Sequence, residues 1–468
     1  MSSHISIDNR FLSAPIGRLF ASNVLPIMFV MVMSGLLNVV DAAFLGRYVG
    51  ADALAAVSMI FPVLMITIAL SALVSGGMAS LFARHLGAGR RDDAAAVFAT
   101  AHGLALCVAF VLIVLFMIGG EAVIGLLTGG RSEIAQMTET YLAITIYATP
   151  VQFFLGLHSE AWRNEGKAGL MALMSVGVTV ANIVFNYLLI VKLDFGVAGS
   201  AWGTVLAQAL GLALLLLLRL QDKRMLPLTA LFTQRWRGGW RSILTLGAPV
   251  SLSFIGIALV SSVAIAALRL TMANSDFANA VAAYGVVTRI VSFAFLPLMA
   301  IALATQSIVG NNVGAGLYHR SDKVLRLAVT TALVYCVVVE TLLQVGSRYI
   351  GAAFVADANV VAGVGAILRP MVVLYVVTGP VLTLALYFQA VGQPARSAAL
   401  TLVKPFLLSP VLIAALAVWK GGSAIWFAFP VADALVAIVA AAIVANSLRL
   451  HTKGAGLGLA AKAASNAT

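Results

Sequence analysis

The sequence predicts an all-α integral membrane protein: twelve transmembrane helices in two six-helix lobes related by a pseudo-two-fold along the membrane normal. Three observations predict it. Of 468 residues, 62% are hydrophobic and only 10% are charged, with a mean hydropathy of +1.04. An ordinary soluble domain is about 25% charged, and so few charges cannot cover a water-facing surface, which excludes a soluble enzyme. The apolar residues come in blocks of about 20 to 28, the length that crosses a ~30 Å hydrocarbon core as a helix. The chain also repeats itself after about 225 residues. Strands are excluded, because runs such as Gly211 to Leu218 do not alternate as the segments of a membrane barrel must.

The elements follow in order. A short polar stretch precedes the first apolar block, 16–45, which has no small-residue cleavage site and so reads as a retained helix rather than a signal peptide. Helices two to six are expected at 53–82, 94–118, 134–160, 168–192 and 198–219. The polar, basic stretch 220–241 reads as the connection between halves. It gives an N-terminal lobe at 1–225, a linker at 226–241 and a C-terminal lobe with a short tail at 242–468. Helices seven to twelve are expected at 242–270, 279–310, 324–349, 361–390, 396–419 and 424–448.

The charges fix the expected orientation. Of the 29 lysines and arginines, twenty fall in loops on the side of the N-terminus and seven on the other, with Arg289 and Lys404 inside blocks. Basic loops stay in the cytoplasm, so both termini and the linker are expected there, in a cytoplasmic (inner) membrane. The net charge of +12 is then a topology signal, not the basic stripe of a nucleic-acid binder. Cys107 and Cys336 lie in apolar blocks without CxxC spacing, and the six histidines form no HxxxH pair, so no metal or redox centre is expected. There is no Walker motif. Gly454, Gly456 and Gly458 follow no strand and form no nucleotide loop.

The repeat is legible in matched strings. Leu25-Pro26 recurs as Ala248-Pro249, Asp52-Ala-Leu-Ala-Ala56 as Asn279-Ala-Val-Ala-Ala283, Gly87-Ala-Gly89 as Gly314-Ala-Gly316, and Glu165-Gly166-Lys167 as Val391-Gly392-Gln393. Six helices is an even number, so both halves enter from the same side. That is the parallel-repeat class of transporter, with substrate expected between the lobes near the bilayer midplane.

Within the blocks a few polar residues stand out. A carboxylate well inside a membrane helix costs at least ~2.5–3 kcal/mol and must be compensated, so Asp41 is singled out. Its alternative role is a helix-end acid reaching the interface, since Arg47 and Tyr48 follow. The repeat places Ala264 near the matching position, so the fold itself does not require an acid there. Asn182 and Asn186 are spaced i, i+4 and share one helix face; interhelical hydrogen bonds of about 0.6 kcal/mol each are the simpler reading. Thr204 adds a hydroxyl in helix six. Glu340 is expected to pair with water or a neighbouring helix. Asp433 matches Gln208 in the repeat and reads as a structural contact, with Arg289 and Lys404 as candidate partners for such acids. Gln306 and Gln389 are candidates for the cavity wall. Pro26 and Pro249 match each other, and a helical proline frees a carbonyl and permits a bend.

These strings, in order, resemble the multidrug and toxic compound extrusion (MATE) family. Asp41-Ala-Ala-Phe-Leu-Gly46-Arg-Tyr-Val-Gly50 with Ala55-Ala56-Val-Ser58 looks like its first-helix signature. Arg289-Ile with Pro297, Gln306 and Gly310-Asn-Asn-Val-Gly314-Ala-Gly316 resembles its eighth helix. Arg163-Asn-Glu-Gly166-Lys, Gln389-Ala-Val-Gly392-Gln-Pro394 and Asn182-Ile-Val-Phe-Asn186 match the loops after helices four and ten and the fifth helix. The resemblance covers essentially the whole chain. It implies an H⁺- or Na⁺-coupled antiporter that exports amphipathic, cationic drugs or toxic organic compounds by alternating access, without an enzyme's chemistry. It also implies a cation site, for a proton or Na⁺, at Asp41, Asn182, Asn186 and Thr204. One branch of the family has an acid where Asn186 stands, and another has a glutamate in helix seven, whereas Ser251 to Leu268 holds no acid. That speaks against a cation site in the second lobe. Beyond the coupling ion no cofactor is expected. The expected partners are small organic substrates and the bilayer, with no nucleic acid, and a monomer is expected to suffice. Two alternatives remain: a lipid-linked oligosaccharide flippase of the same superfamily, for which only Arg289, Arg369 and Lys404 would supply cavity charge, and an intramembrane enzyme, for which no Ser/His/Asp set shares a plausible depth.

Overall fold

A computed structural model describes residues 9–128, 132–222, 224–272, 274–354 and 358–449. Lys223, Arg131, Lys453, Lys462 and the Gly454–Gly458 string lie outside the described residues. Among those described there is no strand, and twelve candidate spans account for the twelve expected blocks. We label them α1 (Ile16–Val49), α2 (Phe61–Gly87), α3 (Arg91–Thr128), α4 (Glu133–Tyr147 with Thr149–Asn164), α5 (Ala168–Lys192) and α6 (Gly196–Gln221). The second half supplies α7 (Trp240–Thr271), α8 (Asp276–Gly314), α9 (Tyr318–Ser347), α10 (Ala358–Met371 with Tyr375–Ala390), α11 (Pro394–Lys420) and α12 (Gly422–Leu448).

Three breaks are sharper than the apolar blocks implied. The expected second helix is divided: a short helix Ala51–Met59 precedes α2, and Pro62 sits in the first turn of α2, where its missing N–H costs nothing. The α4 pair bends by 47° and the α10 pair by 56°. Pro150 occupies the first turn after the α4 break, and Pro370 closes the first half of α10. Hydropathy averages over such breaks, so a continuous apolar block hides them.

The chain divides into two compact units. The first holds Met1–Ser13 and Ala21–Gly247, the second Ala14–Phe20 and Ala248–Thr468. In the first unit, Val74, Met78, Phe82, Phe98, Phe153 and Leu157 form a core with Leu226 and Ala230 from the connection between the halves. That connection is therefore packed structure. It is also tied by polar contacts: Glu165 accepts from Arg219 at 2.9 Å and from the Leu226 N–H at 2.7 Å, and Lys167 pairs with Asp222.

The repeat is visible in the backbone of each unit. Gly89 after α2 and Gly316 after α8 both have φ of +73°, and Gly166 after α4 and Gly392 after α10 have φ of +81° and +84°. All four are the left-handed residues that let a helix end and the chain turn back at once.

Candidate functional site

Asp41, Asn182, Asn186 and Thr204 come together inside the first unit. Asp41 is carried by α1, and the helix widens into a π-helical turn at Leu45–Val49. Asn182 and Asn186 lie one turn apart on α5, which widens in the same way at Tyr187–Lys192. π-helical turns interrupt the regular ladder and recur at functional positions. Thr204 faces them from α6.

The four side chains close a ring of hydrogen bonds. The Asn186 amide donates to Asp41 Oδ1 at 2.6 Å and to Asn182 Oδ1 at 3.2 Å. The Asn182 amide donates to Thr204 Oγ1 at 3.2 Å, and the Thr204 hydroxyl donates to Asp41 Oδ2 at 3.1 Å. Asn182 and Asn186 are fully buried, and Asp41 is 9% exposed. Asp41 is thus not an acid reaching out to the interface. Among the described residues no lysine, arginine or histidine pairs with it. The carboxylate is held by the neutral dipoles of Asn186 and Thr204.

Gly203 makes the ring possible. A methyl group there would stand 2.1 Å from Asn186 Oδ1, closer than any real contact. That oxygen is buried without a hydrogen-bond partner among the described residues. The oxygens of Asp41, Asn182, Asn186 and Thr204 form an all-oxygen donor set, the kind that suits a hard cation rather than a transition metal. No cluster of three or more His, Cys, Asp or Glu side chains able to hold a metal is present among the described residues. Tyr141, buried in the core beside Leu45 and Leu142, lies within electrostatic reach of Asp41; nothing in its sequence context marked it.

The other candidates are placed differently. Gln306 and Gln389 are buried against each other. They are 2% and 1% exposed, and the Gln306 amide donates to Gln389 Oε1 at 3.0 Å, because two long amides at matching depth satisfy each other. Arg289 is exposed and forms no ion pair among the described residues. Pro26 lies within an unbroken stretch of α1. Asp433 pairs with Lys404, the structural contact expected of it. Glu340 accepts from the Val376 N–H at 2.8 Å and so satisfies a first-turn amide of the second half of α10, where the break leaves donors unpaired.

Two arginines counted as loop charges are buried instead. Arg163 pairs with Glu160 and Arg219 with Glu165, so the chain compensates both inside the protein. A further pair escaped the sequence altogether. His102 on α3 and His158 on α4 approach to 3.3 Å between Nε2 atoms, with Phe98 edge-on to both rings. They are 56 residues apart, so no local spacing could reveal them.

A family model described as MatE matches residues 26–188 and, a second time, residues 253–414. The chain belongs to the MatE family. The double match runs once through each half, at the spacing of the internal repeat. Among MatE relatives, the FAD transporter of Shewanella oneidensis is 25% identical over 432 residues, covering 91% of this chain and 94% of the relative. The multidrug export protein MepA of Staphylococcus aureus is 22% identical over 437 residues, covering 93% and 94%. Among solved structures, a MOP superfamily transporter from Pyrococcus furiosus has a TM-score of 0.84 at 22% identity, covering 93% of this chain and 96% of that one. A MATE structure in complex with MaL6 has a TM-score of 0.83 at 21% identity, with the same coverage. The fold is that of these transporters. This MatE chain is accordingly a multi-pass membrane transporter, which sets aside the intramembrane enzyme.

Proposed function

We propose that this MatE protein is a cation-coupled antiporter that exports small amphipathic organic compounds, with Asp41 carrying the coupling ion. One observation carries the reading: a buried carboxylate that accepts from Asn186 and Thr204 in a ring closed by Asn182, with no basic partner among the described residues. Charge in a low-dielectric interior must be neutralised or paired, and a proton or Na⁺ on Asp41 does either. Asn182, Asn186 and Thr204 supply the remaining oxygens. The all-oxygen set, with an Asn186 Oδ1 that has no partner among the described residues, supports Na⁺, and burial of the carboxylate supports a proton.

The energetics are sufficient. A potential of 100 mV supplies about 2.3 kcal/mol per charge moved, which corresponds to roughly a fortyfold substrate gradient. Coupling follows if ion binding favours one conformation of the transporter over the other by a comparable amount. Pro26 is the expected hinge of α1. No cofactor beyond the ion is needed, and a monomer contains the whole cluster. The excess of basic residues on one side supports a cytoplasmic membrane location with both termini inside.

The MepA relative exports multiple drugs by its name, which supports drugs as cargo; the FAD transporter supports a phosphate-bearing dinucleotide instead. Proteoliposomes loaded with a fluorescent cationic dye or with FAD, under an imposed proton gradient and then an imposed sodium gradient, separate these choices. Dye release under at least one gradient is expected. Release of neither cargo under either gradient would refute the antiport reading.

A further inference from the structure

The connection between the two halves is fastened on one side and bare on the other. Its inner side is held within the first unit. Leu226 and Ala230 enter the core, Arg91 Nη2 donates to the Arg224 carbonyl at 2.6 Å, and Thr100 Oγ1 donates to the Arg235 carbonyl at 3.3 Å. The backbone passes so close to α3 that a methyl group on Gly103 would lie 2.1 Å from the Trp236 carbonyl. Trp236 Nε1 donates to the Leu231 carbonyl at 2.6 Å. These contacts fix the path of the segment, and so fix which side chains it turns outward.

The outward side is basic and apolar together. Arg224, Arg235, Arg237 and Arg241 are exposed. Phe232 is 88% exposed, and Leu220 at the end of α6 is 66% exposed. After Asp222, which is engaged by Lys167, no acid occurs until Asp276. Arg235, Arg237 and Arg241 enter no ion pair among the described residues. A large ring left in water is unfavourable, and free guanidinium groups on a fixed backbone are ready for bidentate contact with phosphate. A water-filled surface satisfies the arginines but not Phe232. The headgroup layer of a bilayer satisfies both, with the ring at the acyl boundary and the guanidinium groups at the phosphates.

We propose that this face of the linker is a docking surface for anionic phospholipid headgroups, and that it seats the first unit against the leaflet it meets. Charge complementarity selects the occupant. A zwitterionic headgroup offers no net charge to three unpaired arginines, whereas basic residues near an anionic surface each contribute about fivefold to binding. Screening must then weaken the contact, since the Debye length is only about 3 Å at 1 M salt.

The test uses the purified full chain, stripped of lipid and titrated with dioleoylphosphatidylglycerol or dioleoylphosphatidylcholine, with bound lipid counted by native mass spectrometry. The parent chain should prefer phosphatidylglycerol by about tenfold or more at low salt, and most of that preference should vanish at 1 M salt. The triple variant R235Q/R237Q/R241Q should lose the preference, and R235K/R237K/R241K, which keeps the charge, should recover most of it. Equal binding of the two lipids by the parent would overturn the proposal. So would a full preference in the glutamine variant, or failure of the lysine variant to bind phosphatidylglycerol while its helix content matches the parent.

Discussion

Gly203 shows how finely the Asp41 ring is set. Its missing Cβ is the space that Asn186 Oδ1 occupies, so Gly203→Ala must push the amide away from Asp41. We expect this variant to insert and fold while losing at least tenfold in gradient-driven transport, measured as initial efflux rate in proteoliposomes. Asn182→Ala removes one link of the ring and should weaken coupling more than it lowers expression. Glu340 and Asp433 serve helix α10 and Lys404 respectively, so Glu340→Gln and Asp433→Asn should each retain substantial efflux. At the linker, the hydrogen bond from Lys167 holds the Asp222 carboxyl below the usual carboxylate range. A depressed folded pKa contributes stability above the unfolded value of about 3.9 and loses it as the pH falls through the folded value. Thermal unfolding should therefore show Asp222→Asn less stable than the parent at pH 6, with the difference closing below about pH 4. At this scale the sequence was readable where chemistry is intrinsic to a residue. An acid in an apolar block and two amides one turn apart announce themselves. Partnership at long range does not: the Gln306–Gln389 bond and the Arg219–Glu165 pair join residues 83 and 54 apart, separations that say nothing about contact.

Helices meet most closely where glycine removes the side chain. A methyl on Gly77 of α2 would lie 2.0 Å from the Ile243 carbonyl, and one on Gly247 of α7 would lie 1.8 Å from the Leu73 carbonyl. The two glycines thus form one reciprocal crossing, the small-residue packing that brings membrane helices together. Overpacking costs about 1–3 kcal/mol, so Gly77→Ala should lower the unfolding temperature in detergent by several degrees. The Glu165–Arg219 pair fastens the linker, with side chains 7% and 0% exposed. Removing one member of a buried pair costs about 3–5 kcal/mol, so Glu165→Gln should destabilise the chain more than Gly77→Ala does. The positions of the spans were legible from apolar block length alone. The bends in α4 and α10 were not, because a hydropathy window sums over a break, and the prolines beside them are also tolerated in unbroken helices such as α1.

For the whole molecule, the repeat was the most informative signal. It is carried by loop glycines and helix-end strings, and the same positions return as left-handed glycines in both units and as two matches to one family model. The packing of the linker was not legible, because its polar composition describes its outer side and not the leucine and alanine it buries. Orientation is an expectation of charge bias: a cysteine placed at Gly238 should react with an impermeant thiol reagent only from the cytoplasmic side, and the opposite pattern would reverse the assignment. The central claim concerns Asp41, and one measurement reaches it directly. Asp41→Asn keeps the shape and removes the charge, so purified Asp41→Asn protein in proteoliposomes should fold as the parent does yet show no efflux above background under the gradient that drives the parent. Efflux at the parental rate under that gradient would contradict the account.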